Sequence, residues 1–212
     1  MTMEKDAALL LVDVQNDFCP GGALPVPDGD KVVVPLNRLA SCFEAAGLTV
    51  IASRDWHPEV TCHFREFGGA WPPHCVKDSS GAAFHHALRL PGATVIISKG
   101  ISPDSDSYSA FDGRSEDGMS LDETLSVMNI RKLYVGGLAT DYCIRSSVLD
   151  ALSAGYEVTV LVDAIAGVDI NPGDSEKALD EMRLAGASFC TAGEILRQFC
   201  NWGRLIEQGR CF

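Results

Sequence analysis

Cys143 stands in Gly136-Gly137-Leu138-Ala139-Thr140-Asp141-Tyr142-Cys143, where an apolar run, Lys132-Leu133-Tyr134-Val135, hands over to a helical pattern from Tyr142 to Leu152. Thr140 or Asp141 supplies the cap. In a helix's first turn a cysteine meets unpaired backbone N–H groups and the positive end of the helix dipole, and both favour the thiolate, the species that attacks carbon. Cys143 is therefore expected to be a nucleophile with a low-titrating thiol, whereas the other seven cysteines read as small buried hydrophobes. All five histidines fall between residues 57 and 86, away from this turn in sequence, so Lys99 and Asp13 are the candidate activators. A nearby ammonium stabilises a thiolate, and a carboxylate in a dry cleft rises toward neutrality and can carry a proton.

A second constellation suits a metal ion. Asp55 and His57 are two apart, which in extended chain sends both side chains to the same side, and His63 and His74 follow in one compact loop. One carboxylate and several imidazoles match an open site for a divalent ion such as zinc, iron or manganese, with solvent or substrate completing the shell. Two other arrangements use the same stretch. Trp56, Pro58, Pro72 and Pro73 could stiffen an ordinary loop carrying surface histidines, or Cys62-His63 and His74-Cys75 could close a structural zinc site. Adjacent residues of extended chain point to opposite sides, which makes that closed site awkward.

Short apolar runs must position these groups: residues 7–13, 48–53, 94–98, 132–136, 157–162 and a weaker 187–190. Helical patterns lie between or beside them at 31–46, 120–128, 142–154 and 174–185. Strands apolar on both faces and separated by helices imply an α/β, doubly wound, mostly parallel β-sheet with helices on both faces. In such sheets ligands bind beyond the carboxyl ends of the strands. Asp13, Asp55, Lys99 and Cys143 all fall at such ends. The turn after the first strand, Val14 to Gly22, is neither a dinucleotide fingerprint nor a phosphate loop, which sets nucleotide chemistry aside.

The 212 residues, 46% hydrophobic and without repeat or low-complexity stretch, fit a single domain over 1–212, with 200–212 a C-terminal tail of undecided role. Trp202, Leu205, Ile206 and Phe212 give that tail enough apolar surface to dock on the core or on a second subunit of a homo-oligomer. A formal net charge of −12 argues against nucleic acid or an anionic membrane as partner and favours a small neutral or cationic molecule. The first apolar run is cut off by Asp13, too short to serve as a signal sequence or a span. Scattered cysteines in a core-forming chain suit reduced thiols in a cytoplasm.

Taken together, Asp13-Val14-Gln15-Asn16-Asp17-Phe18, Asp55-Trp56-His57, His63, Trp71-Pro72-Pro73-His74-Cys75, Lys99-Gly100, Asp106-Ser107-Tyr108-Ser109-Ala110-Phe111 and the Cys143 motif resemble the nicotinamidase family of the isochorismatase-like cysteine hydrolases, in the same order over roughly residues 7–190. The resemblance implies the isochorismatase-like hydrolase fold, an Asp13, Lys99, Cys143 triad, and one divalent ion, zinc first, held by Asp55, His57, His63 and His74. It implies Phe18, Trp71 and Tyr108 as walls of a pocket for nicotinamide and related pyridine or pyrazine carboxamides. It also implies a cis peptide before Ala139 that turns the backbone N–H groups of Ala139 and Cys143 toward the reacting carbonyl oxygen. Two rivals remain at this stage: a metal-free relative acting on a vinyl ether or N-carbamoyl group, and a non-enzymatic zinc-stabilised binding protein with a structural Cys143.

Overall fold

The computed structural model describes residues 5–198. The tail at 200–212 lies outside the described residues. Six strands, β1 (Ala7–Val12), β2 (Thr49–Asp55), β3 (Val95–Lys99), β4 (Lys132–Leu138), β5 (Glu157–Ala166) and β6 (Ser188–Cys190), form one sheet in the order β3-β2-β1-β4-β5-β6. Every pairing is parallel. Among the described residues the helices α1 (Val33–Ala45), α2 (Leu121–Val127), α3 (Arg145–Ser153) and α4 (Asp174–Leu184) pack on the sheet, and a further helical stretch begins at residue 192.

The run Ala7-Ala8-Leu9-Leu10-Leu11-Val12 shows why β1 sits at the centre. Side chains alternate across a strand, so Leu9 and Leu11 enter one core with Leu36, Leu39 and Phe43 of α1, while Ala8, Leu10 and Val12 enter the other with Leu121, Leu125, Val148 and Met182 of α2, α3 and α4. All six β1 residues are buried. An exposed edge strand would not tolerate that composition.

Strand order reverses between β1 and β4, which creates the crevice where this class of sheet places its ligands. Gly137 lies there, paired with Val12 at a φ of 130°. A Cβ at Gly137 would overlap the Val12 carbonyl, so glycine is what lets the two strands close at this point. A register irregularity in the β4–β5 pairing falls between Val135 and Gly137.

Several boundaries differ from the sequence-based expectation. Asp13 is not a strand residue; it follows β1 with a φ of 50°. Lys99 and Asp55 are the last residues of β3 and β2. The helix expected from Lys31 begins at Val33, after a 3-10 turn over Gly29–Val32. The helix expected from Tyr142 starts instead as a π-turn over Thr140–Ile144, and regular α-helix begins at Arg145. Such wide turns recur at functional sites, and hydrophobic periodicity cannot signal them. Among the described residues no helix is long and apolar enough to cross a membrane.

Candidate functional site

The ends of β1, β2, β3 and β4 bring Asp13, Asp55, Lys99 and Cys143 together. The Lys99 ammonium is the hub: fully buried, it lies 2.9 Å from Asp13 Oδ2, donates to Asp55 Oδ1, and sits 3.4 Å from Cys143 Sγ. The Asp13 contact is a charge pair without hydrogen-bond alignment, and Asp13 Oδ2 has no hydrogen-bond partner. Its other oxygen accepts from Ser53 Oγ at 2.7 Å. The Asp13 carboxylate, held by the ammonium and with an oxygen within 4.8 Å of the Cys143 sulfur, is suited to receive a proton.

Burial dominates the electrostatics here. It pushes the Asp13 carboxyl up against the opposing pull of Lys99, with Asp55 adding to the rise. Asp55 is buried too, yet Lys99 and the histidines on its far side hold it below the usual carboxylate range. Lys99 overcomes its own desolvation through Asp13 and Asp55 and stays charged. Burial pushes the Cys143 thiol well above its ordinary value, and Lys99 only partly offsets this. This direction is opposite to the expected low-titrating thiol, because the π-turn places Cys143 in a dry pocket beside two carboxylates.

His57, His63 and His74 each place a ring nitrogen within 4.8 Å of the others. Asp55 Oδ2 reaches this cluster, 3.5 Å from His57 Nε2 and 3.8 Å from His74 Nε2. Each ring is turned by an oxygen at Nδ1: Gly100 O at 3.1 Å for His57, Pro72 O at 2.8 Å for His74, and the Asp106 carboxylate for His63. This fixes the tautomer with the proton on Nδ1 and leaves Nε2 as a ligand atom. His57 Nε2 is buried and has no hydrogen-bond partner, a costly state unless something else occupies it. Burial also lowers the His74 pKa to about 4 and lowers that of His63, so both imidazoles are neutral near pH 7, as metal ligation requires. The donor set fits a divalent transition ion. Among the described residues no such cluster contains Cys62 or Cys75; Cys75 is buried instead, its backbone N–H donating to Asp17 Oδ2 at 2.7 Å.

Between the two centres lies a small, tight cavity. Phe18, Trp71 and Tyr108 line it, along with Asp55, His63, His74, Ala139 and Cys143. Trp71 Nε1 donates to the Tyr108 hydroxyl at 2.9 Å, and Trp71 meets the Tyr142 ring edge-on at 5.0 Å. The Leu138-Ala139 peptide is cis.

Sequence reasoning left several participants without a role. Tyr142 is a wall, and so are Leu24, Val26 and Val168. Gln15 donates from Nε2 to the Asp55 and Ala82 carbonyls and accepts from the Asp55 N–H, each at 2.8 Å, which fixes the backbone of the residue shared by both centres. Asp141, expected with Thr140 as a candidate helix cap, caps nothing; the turn has Ala139 at its N-cap with no side-chain bond, and Asp141 instead accepts from the N–H groups of Val168 at 2.9 Å and Asp169 at 2.8 Å. Gln15, Asp106 and Asp141 all stood inside the quoted motifs, so a signal was present, but their partners are 27 to 67 positions away.

The isochorismatase domain model matches residues 7–194. Nicotinamidase from Escherichia coli strain K12 is 45% identical over 203 residues, covering 88% of this chain and 95% of that protein. Among solved structures, pyrazinamidase of Pyrococcus horikoshii in complex with zinc superposes with a TM-score of 0.81 at 44% identity, covering 88% of this chain and 99% of that one. PnC1 from L. infantum in complex with nicotinate gives 0.80 at 32% identity, covering 91% and 96%.

Proposed function

The chain belongs to the isochorismatase domain family, and on that premise we propose that it is a nicotinamidase, an amide hydrolase that converts nicotinamide to nicotinate and ammonia. The observation that carries this reading is the position of one ammonium, Lys99, in contact with Asp13, Asp55 and Cys143, the last two of which line an aromatic-walled cavity.

Charge balance dictates the order of proton movements. With Lys99 charged and Asp13 and Asp55 ionised, the buried trio carries one net negative charge, and a thiolate added to it would carry two. Moving the thiol proton to the free oxygen of Asp13 forms the nucleophile with no change in total charge, which a dry site favours. Lys99 then faces the sulfur. Cys143 attacks the amide carbon, and the backbone N–H groups of Ala139 and Cys143, both at the cavity wall, receive the oxyanion. Each such donor contributes about 3 kcal/mol in comparable holes. Asp13 returns its proton to the departing nitrogen, ammonia leaves, and a thioester remains. Water adds to that thioester with Asp13 again accepting a proton, and nicotinate is released as the thiol re-forms.

Asp55, His57, His63 and His74 are the residues that would hold the metal, with zinc the first candidate given the zinc complex of the Pyrococcus relative. When bound, the ion supplies a Lewis-acidic anchor for a ring nitrogen. Phe18, Trp71, Tyr108 and Tyr142 confine the flat ring and exclude water. The substrate is a small neutral molecule, and the free thiols of Cys19, Cys62, Cys75, Cys143 and Cys190 suit a reducing cytoplasm.

The test is ammonia release from nicotinamide by metal-replete protein with and without a chelator, beside Cys143→Ala. Release that survives both treatments would overturn the assignment. Cys75→Ser and His57→Ala address the closed zinc-site rival: the first is expected to retain metal and the second to lose it.

A further inference from the structure

The three histidines have different outer partners. His57 and His74 are held by backbone carbonyls, of Gly100 and Pro72, whereas His63 is held by the carboxylate of Asp106, 43 positions away. His63 is almost fully buried while the Asp106 side chain is 53% exposed, so this pair connects the cluster to solvent. The stretch carrying Asp106 touches the metal loop repeatedly. Gly100 O accepts from His57, Pro103 O accepts from the Cys62 N–H at 2.8 Å, and the Tyr108 hydroxyl accepts from Trp71. Asp106 is the one anionic contact among these.

We propose that Asp106 is the positioning residue that sets how tightly the histidine cluster retains its divalent ion; this rests on the assignment of Asp55, His57, His63 and His74 as ligands. Two physical effects carry it. A carboxylate accepting from Nδ1–H raises the basicity of Nε2 and fixes the ring plane, more strongly than a neutral carbonyl does. It also adds charge. Asp55 is the one anion within the ligand set, so a divalent ion would leave that set with a positive excess, and Asp106 supplies a second negative charge at the ring the ion polarises. Because this carboxylate is half exposed, its hold on His63 can be broken by rotation of one side chain at little cost in packing.

The experiment is equilibrium zinc affinity and zinc dissociation rate, read with a chromophoric chelator, for the wild-type chain and for Asp106→Asn, Asp106→Ala and His57→Ala. Removal of outer partners of metal-bound histidine typically costs 10- to 100-fold in affinity. Asp106→Ala is expected to lie in that range, mostly through faster dissociation, and Asp106→Asn between it and wild type. Far-UV circular dichroism of the metal-free proteins should be unchanged, and their melting temperatures should fall only by the loss of the one hydrogen bond to His63, since the Asp106 side chain is half exposed. Amidase activity of Asp106→Ala should recover when zinc is supplied in excess, which a damaged pocket would not do. Wild-type affinity and dissociation rate in Asp106→Ala overturn the proposal. If wild type and His57→Ala are equally poor binders, the ligand assignment itself fails, and the two failures are thereby distinguished.

Discussion

Lys99 holds together two carboxylates that burial would otherwise drive apart. Lys99→Met would leave Asp13 and Asp55 buried without a counter-charge, and removing one partner of a buried pair costs about 3 to 5 kcal/mol. Melting of the metal-free variant should show that loss, together with loss of ammonia release. Asp13→Asn keeps the shape and removes the proton acceptor. A positioned acid–base group contributes roughly 100- to 10,000-fold, and kcat should fall within that range while metal content stays at wild-type level. His74 gives a pH prediction. Its pKa is lowered to about 4 in the fold, from roughly 6.5 in an unfolded chain. Between those values the unfolded state binds more protons, so stability rises with pH; the contribution is complete above about 6.5 and is lost as pH falls toward 4. The metal-free protein should lose roughly 3 kcal/mol across that window, and His74→Gln should flatten the profile. Cys143 and Lys99 were legible in the sequence because chemically capable groups converge on one edge of the sheet, at the ends of its strands and in the turn after β4. The protonation state of Cys143 was not legible, because it depends on how dry the π-turn is and on two carboxylates drawn in from other strands.

The strands and helices were readable to within a few residues, since each is an apolar run or a periodic stripe that the two cores demand. What patterning could not supply were the connections between elements. Asp141, two residues before the nucleophile, holds the loop after β5 through two backbone N–H groups, and that loop supplies Val168 to the cavity wall. In Asp141→Asn one acceptor becomes an NH₂ group facing an N–H. We expect KM for nicotinamide to rise several-fold with a smaller change in kcat, and a stability loss of about 1 to 3 kcal/mol for the unsatisfied amide. Steady-state kinetics and urea melts separate the two effects. Gly137→Ala tests the β1–β4 junction. The added methyl meets the Val12 carbonyl at a φ unfavourable to alanine, so the strands must part. A fall in melting temperature on the order of 10 °C is expected, with activity lost well below the new midpoint, because Asp13 and Cys143 hang from those two strands.

The chain's net charge of −12 bears on the molecule as a whole. A neutral amide feels little of the long-range field, so kcat/KM for nicotinamide should change less than two-fold between roughly 20 and 500 mM salt, over which the Debye length shrinks several-fold. The product is an anion. Inhibition by nicotinate should therefore strengthen as salt is raised and the repulsion is screened, and a steep salt dependence for the neutral substrate would contradict this account. Composition made that argument available before any coordinates, whereas the cavity itself had to be seen, because its walls come from loops far apart in sequence.

Asp55 gives one oxygen to Lys99 and turns the other toward His57 and His74. The nucleophilic half of the pocket and the ligand-anchoring half are thus not modules that can be exchanged separately. Any redesign that changes the ion or its ligands also retunes the ammonium facing the sulfur. A variant library that explores the two halves independently would find combinations whose effects do not add, with Asp55 and the Gln15 that fixes it as the positions where the interference concentrates.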